Sequence, residues 1–378
     1  MMKPKSSFWD DNAYTPWTLQ WIGKELLLCL AERKLPKHLL VEKKVRPDWY
    51  YVLKIKNALT SKRKVGFGPV IEGAYNIGVR GSRIDPIVDC INKHSKTYAA
   101  DIFFEFDEMA RFDLVVIVKE FHPGLYPLIE QLKAQGKRVV YDIVDNPFCT
   151  DPRSVSYHDH PEFLRLMDGV ISSSPIQTED VKPVNPNVVL IEHPIINFEC
   201  STYPQKTTVD LLWQGYMANV EAMFRLHTIL ENVRQKSGHD VRMIYHSNCP
   251  TRTDGMIRYM KWKIRDWQNI LASADIGIVI KPPENEIQRR KPSNKVLSYM
   301  AAGLPVVCTP TEADKLIMKH GTHGFFAYTE KEWYRYLTML IENPELRKEM
   351  GMRGRQDVWE HFTIEKITAK YLDLFDHI

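Results

Sequence analysis

From Lys64 to Glu199 the chain alternates short, continuous apolar runs with stretches of helical spacing. The runs Lys64–Gly68, Tyr98–Phe104, Leu114–Lys119, Arg138–Ile143, Gly169–Ser172 and Val188–Glu192 predict strands. The first four include apolar runs too uninterrupted for a strand with one wet face, which favours a parallel sheet covered on both sides. Between them, 84–94 and 126–135 carry helical spacing, and Gly136 supplies a C-terminal stop. A polar stretch from Asn197 to Thr208, with Pro204 inside it, reads as an interdomain linker. A second set then repeats the alternation. Strands are predicted at 209–213, 241–245, 276–280, 305–308 and 324–327, and helices at 220–236, 265–274, 294–302 and 331–341. Residues 345–378 predict closing helices with no strand between them. The fold class is α/β, with two doubly wound, Rossmann-like domains facing across a cleft.

In open α/β sheets ligands bind beyond the carboxyl ends of the strands, so those ends hold the candidate chemistry. In the first set they are Gly66 to Gly68 with the glycine-rich loop to Arg80 and Arg83, then Lys119-Glu120-Phe-His122, then Asp142-Ile-Val-Asp145. Gly68, Arg80, Arg83 and Lys119 are candidates for holding an acceptor, because glycine admits close backbone approach and arginine suits an anion. A tight turn with surface arginines is the competing reading. Asp142, Asp145 and His122 are the candidate catalytic groups, placed to take a proton from a hydroxyl. Asp145 before Asn146-Pro147 is equally a turn-forming residue. In the second set the ends are Gln214-Gly215, His246-Ser-Asn248 and Lys281-Pro-Pro-Glu284.

The most informative stretch is Lys291-Pro-Ser-Asn-Lys-Val-Leu-Ser-Tyr-Met-Ala-Ala-Gly-Leu-Pro-Val-Val-Cys-Thr309. It predicts a loop, a helix starting near Asn294, a stop at Gly303 and a buried strand. Asn294 and Ser298 share one helix face, while Val296, Leu297, Met300 and Ala301 form the packed side. The polar first turn exposes unpaired backbone N–H groups that suit a phosphate. Arg289, Arg290, Lys291 and Lys295 surround it with positive charge, and Lys281 follows the preceding strand.

This segment resembles the donor-binding motif of GT-B glycosyltransferases of the glycogen-synthase-like kind, with its Pro-x-Lys-x-x-Glu-Tyr-x-Ala-x-Gly-x-Pro-Val-Val pattern. Glu342-Asn-Pro-Glu-Leu-Arg-Lys-Glu-Met and Trp359-Glu-His-Phe-Thr-Ile-Glu resemble the closing helices of such enzymes. The resemblance is specific from about Val209 onward and loose from Val65 to Glu199. It implies that a nucleotide-diphosphate sugar is co-substrate and that its diphosphate lies at the Asn294 helix start. The donor set it implies is Lys281, Arg290, Lys291, Ser293, Asn294, Lys295 and Ser298, with His246, Asn248 and Gly215 near the nucleotide. It also implies a last helix that crosses back onto the first domain. The motif departs at two places: Ser298 stands at the second glutamate of the family's E-x7-E pair and Arg290 at the first. A serine bonds a hydroxyl more weakly than a carboxylate does.

Residues 1–64 differ from the rest. They hold 14 Lys/Arg against 6 Asp/Glu, so the remainder of this chain of net charge +4 is mildly acidic. With Trp9, Trp17, Trp21 and Trp49, this extension is either a helical segment packed on the first domain or a surface for anionic membrane lipid. The expected organisation is the extension at 1–64, an acceptor domain at 65–200, a donor domain at 201–355 and a terminal helix at 356–378. Six widely spaced cysteines without a C-x-x-C pair fit reduced thiols in a cytoplasmic protein. The apolar run near the N-terminus is far shorter than a membrane span. No H-E-x-x-H or Asp-x-Asp motif points to a metal, no G-x-S-x-G to a serine hydrolase, and no recognition motif to nucleic acid.

The expected function is sugar transfer from a nucleotide-diphosphate sugar to a hydroxyl acceptor in surface polysaccharide, glycolipid or related glycan synthesis. No other cofactor is expected, and the enzyme would work in the cytoplasm, peripherally at the inner membrane face. The departures at Arg290 and Ser298 define the alternative, a GT-B subunit that binds a glycan or protein partner without catalysis.

Overall fold

The computed structural model describes residues 60–70, 80–121, 123–144, 160–195, 200–201, 203, 206–215, 221–247, 255–261, 267–281 and 286–378. Almost all of the basic extension lies outside this set, as do His122, Asp145 and Asn248 and most of the glycine-rich loop.

Two six-stranded sheets, every pairing parallel, organise the described residues. The first contains β1 (Arg63–Gly68), β2 (Tyr98–Ile102), β3 (Leu114–Val118), β4 (Arg138–Asp142), β5 (Gly169–Ser172) and β6 (Val188–Leu190), in the order β2-β1-β3-β4-β5-β6. The second contains β7 (Thr208–Gly215), β8 (Asp240–Ser247), β9 (Ile257–Lys261), β10 (Ile276–Val279), β11 (Val306–Cys308) and β12 (Gly324–Phe326), in the order β12-β11-β10-β7-β8-β9. The order in which strands are added therefore switches sides once in each sheet, between β1 and β3 and between β7 and β10. Those switch points are where such sheets open a crevice at their carboxyl ends.

The strands β2, β3, β5, β10 and β11 are buried at every position, which explains their apolar character. The strand β9, absent from the sequence-based prediction, is an edge strand reading Ile-Arg-Tyr-Met-Lys, with Arg258 and Lys261 exposed. Such charge keeps an edge from pairing further and hides the strand from a search for apolar runs.

The first sheet carries α1 (Asp85–His94), α2 (Leu125–Ala134), α3 (His160–Leu166) and α4 (Pro175–Val181). The second carries α5 (Glu221–Ser237), α6 (Trp267–Ser273), α7 (Glu286–Arg290), α8 (Asn294–Ala301), α9 (Glu312–Ile317), α10 (Glu330–Glu342) and α11 (Pro344–His361), and the chain then returns to the first with α12 (Ile364–His377). Helix α8 ends at Gly303, whose φ of 81° is the left-handed conformation that glycine adopts at least cost. Its seat on the sheet depends on Gly277. A Cβ there would lie 2.5 Å from the ring of Tyr299, so only glycine lets that ring lie against β10. The Tyr299 hydroxyl in turn accepts the Gln214 N–H at 3.0 Å, tying α8 to the end of β7.

Helix α12 lies against the first sheet. Phe375 packs on Phe67 and Tyr98, and the Tyr98 hydroxyl donates to Asp376 at 2.7 Å. No helix among the described residues is long and apolar enough to cross a membrane.

Candidate active site

The start of α8 is the best-defined feature at the carboxyl ends of the second sheet. Ser293 precedes the helix but does not cap it. Its hydroxyl donates instead to Asp314 at 2.7 Å. No acidic residue lies in the first turn. The first-turn N–H groups thus keep their polarity for something outside the helix.

Asp314 organises this end of the lobe. Its carboxylate, wholly buried, receives both 2.9 Å bonds from Lys281 Nζ, the Ser293 hydroxyl, and the N–H and hydroxyl of Thr311. Burial by itself raises its proton affinity, but Lys281, Ser293 and the Thr311 N–H outweigh that and hold the carboxyl below its ordinary range. One carboxylate therefore fixes the end of β10, the start of α8 and the start of α9.

The cations around this end are not equivalent. Lys281 is buried and neutralised by Asp314. Arg289 pairs with Glu286 at 2.6 Å. Arg290 pairs with Glu286 and, at 2.8 Å, with Asp180 of α4 in the first lobe. Lys291 and Lys295 form no direct ion pair among the described residues, although Asp314 attracts Lys295 at longer range. Desolvation, then repulsion from Lys281 and Lys291, lowers the Lys295 ammonium to about 8. The positive end predicted as five cations is therefore two lysines plus the helix N-terminus. Lys281 and Arg290 spend their charge inside the protein.

The remaining donor candidates divide similarly. Asn294 is exposed at the helix start. Ser298 turns its hydroxyl back to the Asn294 carbonyl at 2.7 Å. His246 is buried, with Nδ1 3.0 Å from the Gln214 amide. Gly215 ends β7, where a Cβ would lie 2.7 Å from the Trp213 ring, so packing alone explains that glycine.

In the first lobe, Asp142 is wholly buried at the end of β4. It accepts from Arg83 Nε at 2.6 Å and from the Tyr371 hydroxyl of α12 at 2.8 Å. Arg83, 1% exposed, also donates to the Ile191 carbonyl at 3.0 Å. Both residues, read from the sequence as facing substrate, are thus placed inside a buried network. An apolar neighbourhood around a strand end hides this from sequence, because the partner Tyr371 lies 229 positions away. Gly68 sits where a Cβ would lie 2.4 Å from the Phe103 carbonyl, so the close approach of backbones requires it. Arg80 begins the turn leading to α1. Lys119 ends β3 in the left-handed conformation, φ 66°, with its N–H on the Asp142 carbonyl at 2.8 Å. Val144 is left-handed as well, φ 51°, immediately before Asp145. Such backbone strain gathers at functional sites.

The two lobes meet through α4. The Ser174 hydroxyl donates to the Arg290 carbonyl at 2.8 Å beside the Arg290–Asp180 pair. Next to this contact a narrow cavity of about 10 Å³ lies between the lobes. Ser173, Glu192 and His193 line it from the first lobe, and Ser293, Asn294 and Leu297 from the start of α8. Ser173 and His193 were missed in the sequence. The signal was available, since both directly follow predicted strands, but neither belongs to a recognisable motif. Among the described residues, no group of three or more His, Cys, Asp or Glu side chains gathers as a metal site would.

The fold has counterparts. Residues 227–373 match the family described as Glycosyl transferase-like. Among curated proteins, none matches the chain in sequence. The structure resembles TarM of S. aureus at 15% identity and TM-score 0.56, over 69% of this chain and 54% of that one. The chain thus spans about half the length of TarM. It resembles Anabaena HepE, crystallised with UDP and glucose, at 11% identity and TM-score 0.59, over 84% of this chain and all of that one. Sucrose-phosphate synthase of Thermosynechococcus elongatus matches at 10% identity and TM-score 0.57, over 84% and 99% of the two chains. The chain has the GT-B glycosyltransferase fold, two Rossmann-like domains facing across a cleft.

Proposed function

We propose that this protein transfers a glycosyl group from a nucleotide-diphosphate sugar, of which a UDP-sugar is the first choice, to a hydroxyl of a surface polysaccharide, glycolipid or related glycan. The observation that carries the reading is the uncapped start of α8 at the second sheet's switch point. Lys291 and Lys295 beside it form no direct ion pair among the described residues, and first-lobe strand ends face it. As the glycosidic bond breaks, charge develops on the departing diphosphate, and first-turn N–H groups with two ammonium groups are suited to receive it. HepE, of the same fold, was crystallised with UDP-glucose.

Within this reading Asn294 and Ser293 position the diphosphate end, while Lys281, Arg290 and Asp314 hold the architecture. Lys119, Arg80 and Gly68 border the acceptor side at the first switch point. His122 and Asp145 remain the candidate catalytic pair and His246, Asn248 and Gly215 the nucleotide side; His122, Asp145 and Asn248 lie outside the described residues. Asp142 and Arg83 act as scaffold. The absence of an Asp-x-Asp motif supports transfer without a metal. The basic extension supports work in the cytoplasm at an anionic membrane face.

A ligand bound only by the folded state raises the melting temperature. UDP and UDP-sugars are expected to do so, and Lys295→Ala is expected to weaken UDP binding about tenfold or more. A panel of nucleotides that leaves the melting curve unmoved, or a Lys295→Ala protein that binds UDP normally, would overturn the reading. A second reading, binding without transfer, is favoured by Arg290 in the interlobe ion pair and Ser298 bonded to its own helix. UDP binding without UDP release from any UDP-sugar, with release restored in Ser298→Glu, would select it.

A further inference from the structure

Ser173 and His193, which line the interlobe cavity, each carry a buried polar atom. His193 is 4% exposed and Ser173 3%, and neither His193 Nε2 nor Ser173 Oγ has a hydrogen-bond partner among the described residues. Buried polar groups are almost always paired, so two orphans lining one recess need an occupant. The recess has room for about one water or one hydroxyl.

Its chemistry is neutral. Burial, helped by the Arg83 charge, holds His193 well below its ordinary value, so its ring offers one N–H and one lone pair. Nδ1 lies 3.5 Å from the Ser82 hydroxyl. Glu192 beside it is engaged by Lys370. From the other lobe Ser293, Asn294 and the apolar Leu297 and Ile317 line it, and Lys291 and Lys295 are not among the lining residues. A donor-and-acceptor pair with no charge suits a hydroxyl, which also both donates and accepts.

We propose that His193 and Ser173 form a hydroxyl-recognition recess, which holds one hydroxyl of the donor's sugar when its diphosphate lies at the start of α8. This rests on the proposed function and assigns a specificity role to two first-lobe residues. The first lobe thereby reads the sugar while the second holds the nucleotide. Both are positioning residues, since nothing places them at the reacting bond.

Titration calorimetry of the full chain with UDP, UDP-glucose, UDP-galactose and UDP-N-acetylglucosamine tests it. His193→Ala and Ser173→Ala are each expected to leave UDP affinity within about twofold. The same changes should weaken the tightest UDP-sugar about five- to tenfold, the value of one hydrogen bond. His193→Gln, which keeps a neutral donor and acceptor, should recover part of the loss, and ligand-free melting curves establish that each variant is folded. Equal effects on UDP and UDP-sugar, no effect on either, or wild-type binding of every UDP-sugar no tighter than UDP would leave an ordered water as the occupant and overturn the inference. Those results leave the diphosphate site standing. Failure of the wild type to bind UDP at all instead removes the proposed function, and the recess assignment with it.

Discussion

Lys295 holds its proton less tightly than an ordinary lysine because it is desolvated beside Lys281 and Lys291. The unfolded chain keeps its proton to higher pH, so the ligand-free fold gains stability as pH rises through about 8 toward the ordinary lysine value. A bound anion favours the ammonium, so the sign for ligand is opposite. UDP affinity is expected to fall as pH climbs from 7 to 9.5, while Lys295→Arg, charged throughout, should hold it flat. Calorimetry across that range in buffers of differing ionisation heat would show proton uptake on binding. A flat wild-type profile counts against diphosphate contact by Lys295. The residue scale is also where sequence reading fell short. Lys291, Asn294 and Lys295 were legible because helix-start chemistry is local. Asp142 and Arg83 were legible as polar groups at strand ends but not as mutual partners. Their destination depends on Tyr371, whose place in space no local pattern encodes.

Among the elements, α8 was the most legible, since its apolar stripe, Gly303 stop and polar first turn all lie within ten residues. Helices α4, α7 and α9, of seven, five and six residues, are too short for periodicity to declare them. Yet α9 supplies Asp314, on which the start of α8 depends. Asp314→Asn removes the countercharge and leaves Lys281 buried and unpaired, a change expected to cost about 3–5 kcal/mol at neutral pH. A carboxyl held below its ordinary range lends stability that is complete above the unfolded value near ~3.9 and is lost as pH falls through the folded one. The gap between wild type and Asp314→Asn in urea unfolding should therefore be wide at pH 7 and narrow toward pH 3. A gap independent of pH would show that the carboxylate's charge is not what stabilises this end.

At the scale of the whole molecule, the two sheets were legible as alternating runs, but their relative placement was not. It rests on Ser174, Arg290 and Asp180 across the cleft, and on α12 against the first sheet. Tyr371 ties that helix to the Arg83–Asp142 pair, where Arg83 Nη1 and Asp142 Oδ1 are already buried without partners among the described residues. Tyr371→Phe leaves Asp142 with one fewer donor and is expected to destabilise by about 1–3 kcal/mol in denaturant titration. A variant as stable as wild type would show that α12 is held by its apolar face alone.

The C-terminal helix also sets a schedule for biogenesis. Phe67 and Tyr98 emerge from the ribosome before the second lobe, but the ring that covers them, Phe375, is translated only after it. The amino-terminal lobe must wait, with part of its apolar interior uncovered, through synthesis of nearly the entire second lobe. Nascent chains of this protein are thus expected to lean on chaperones for longer than a lobe-by-lobe folder of equal size.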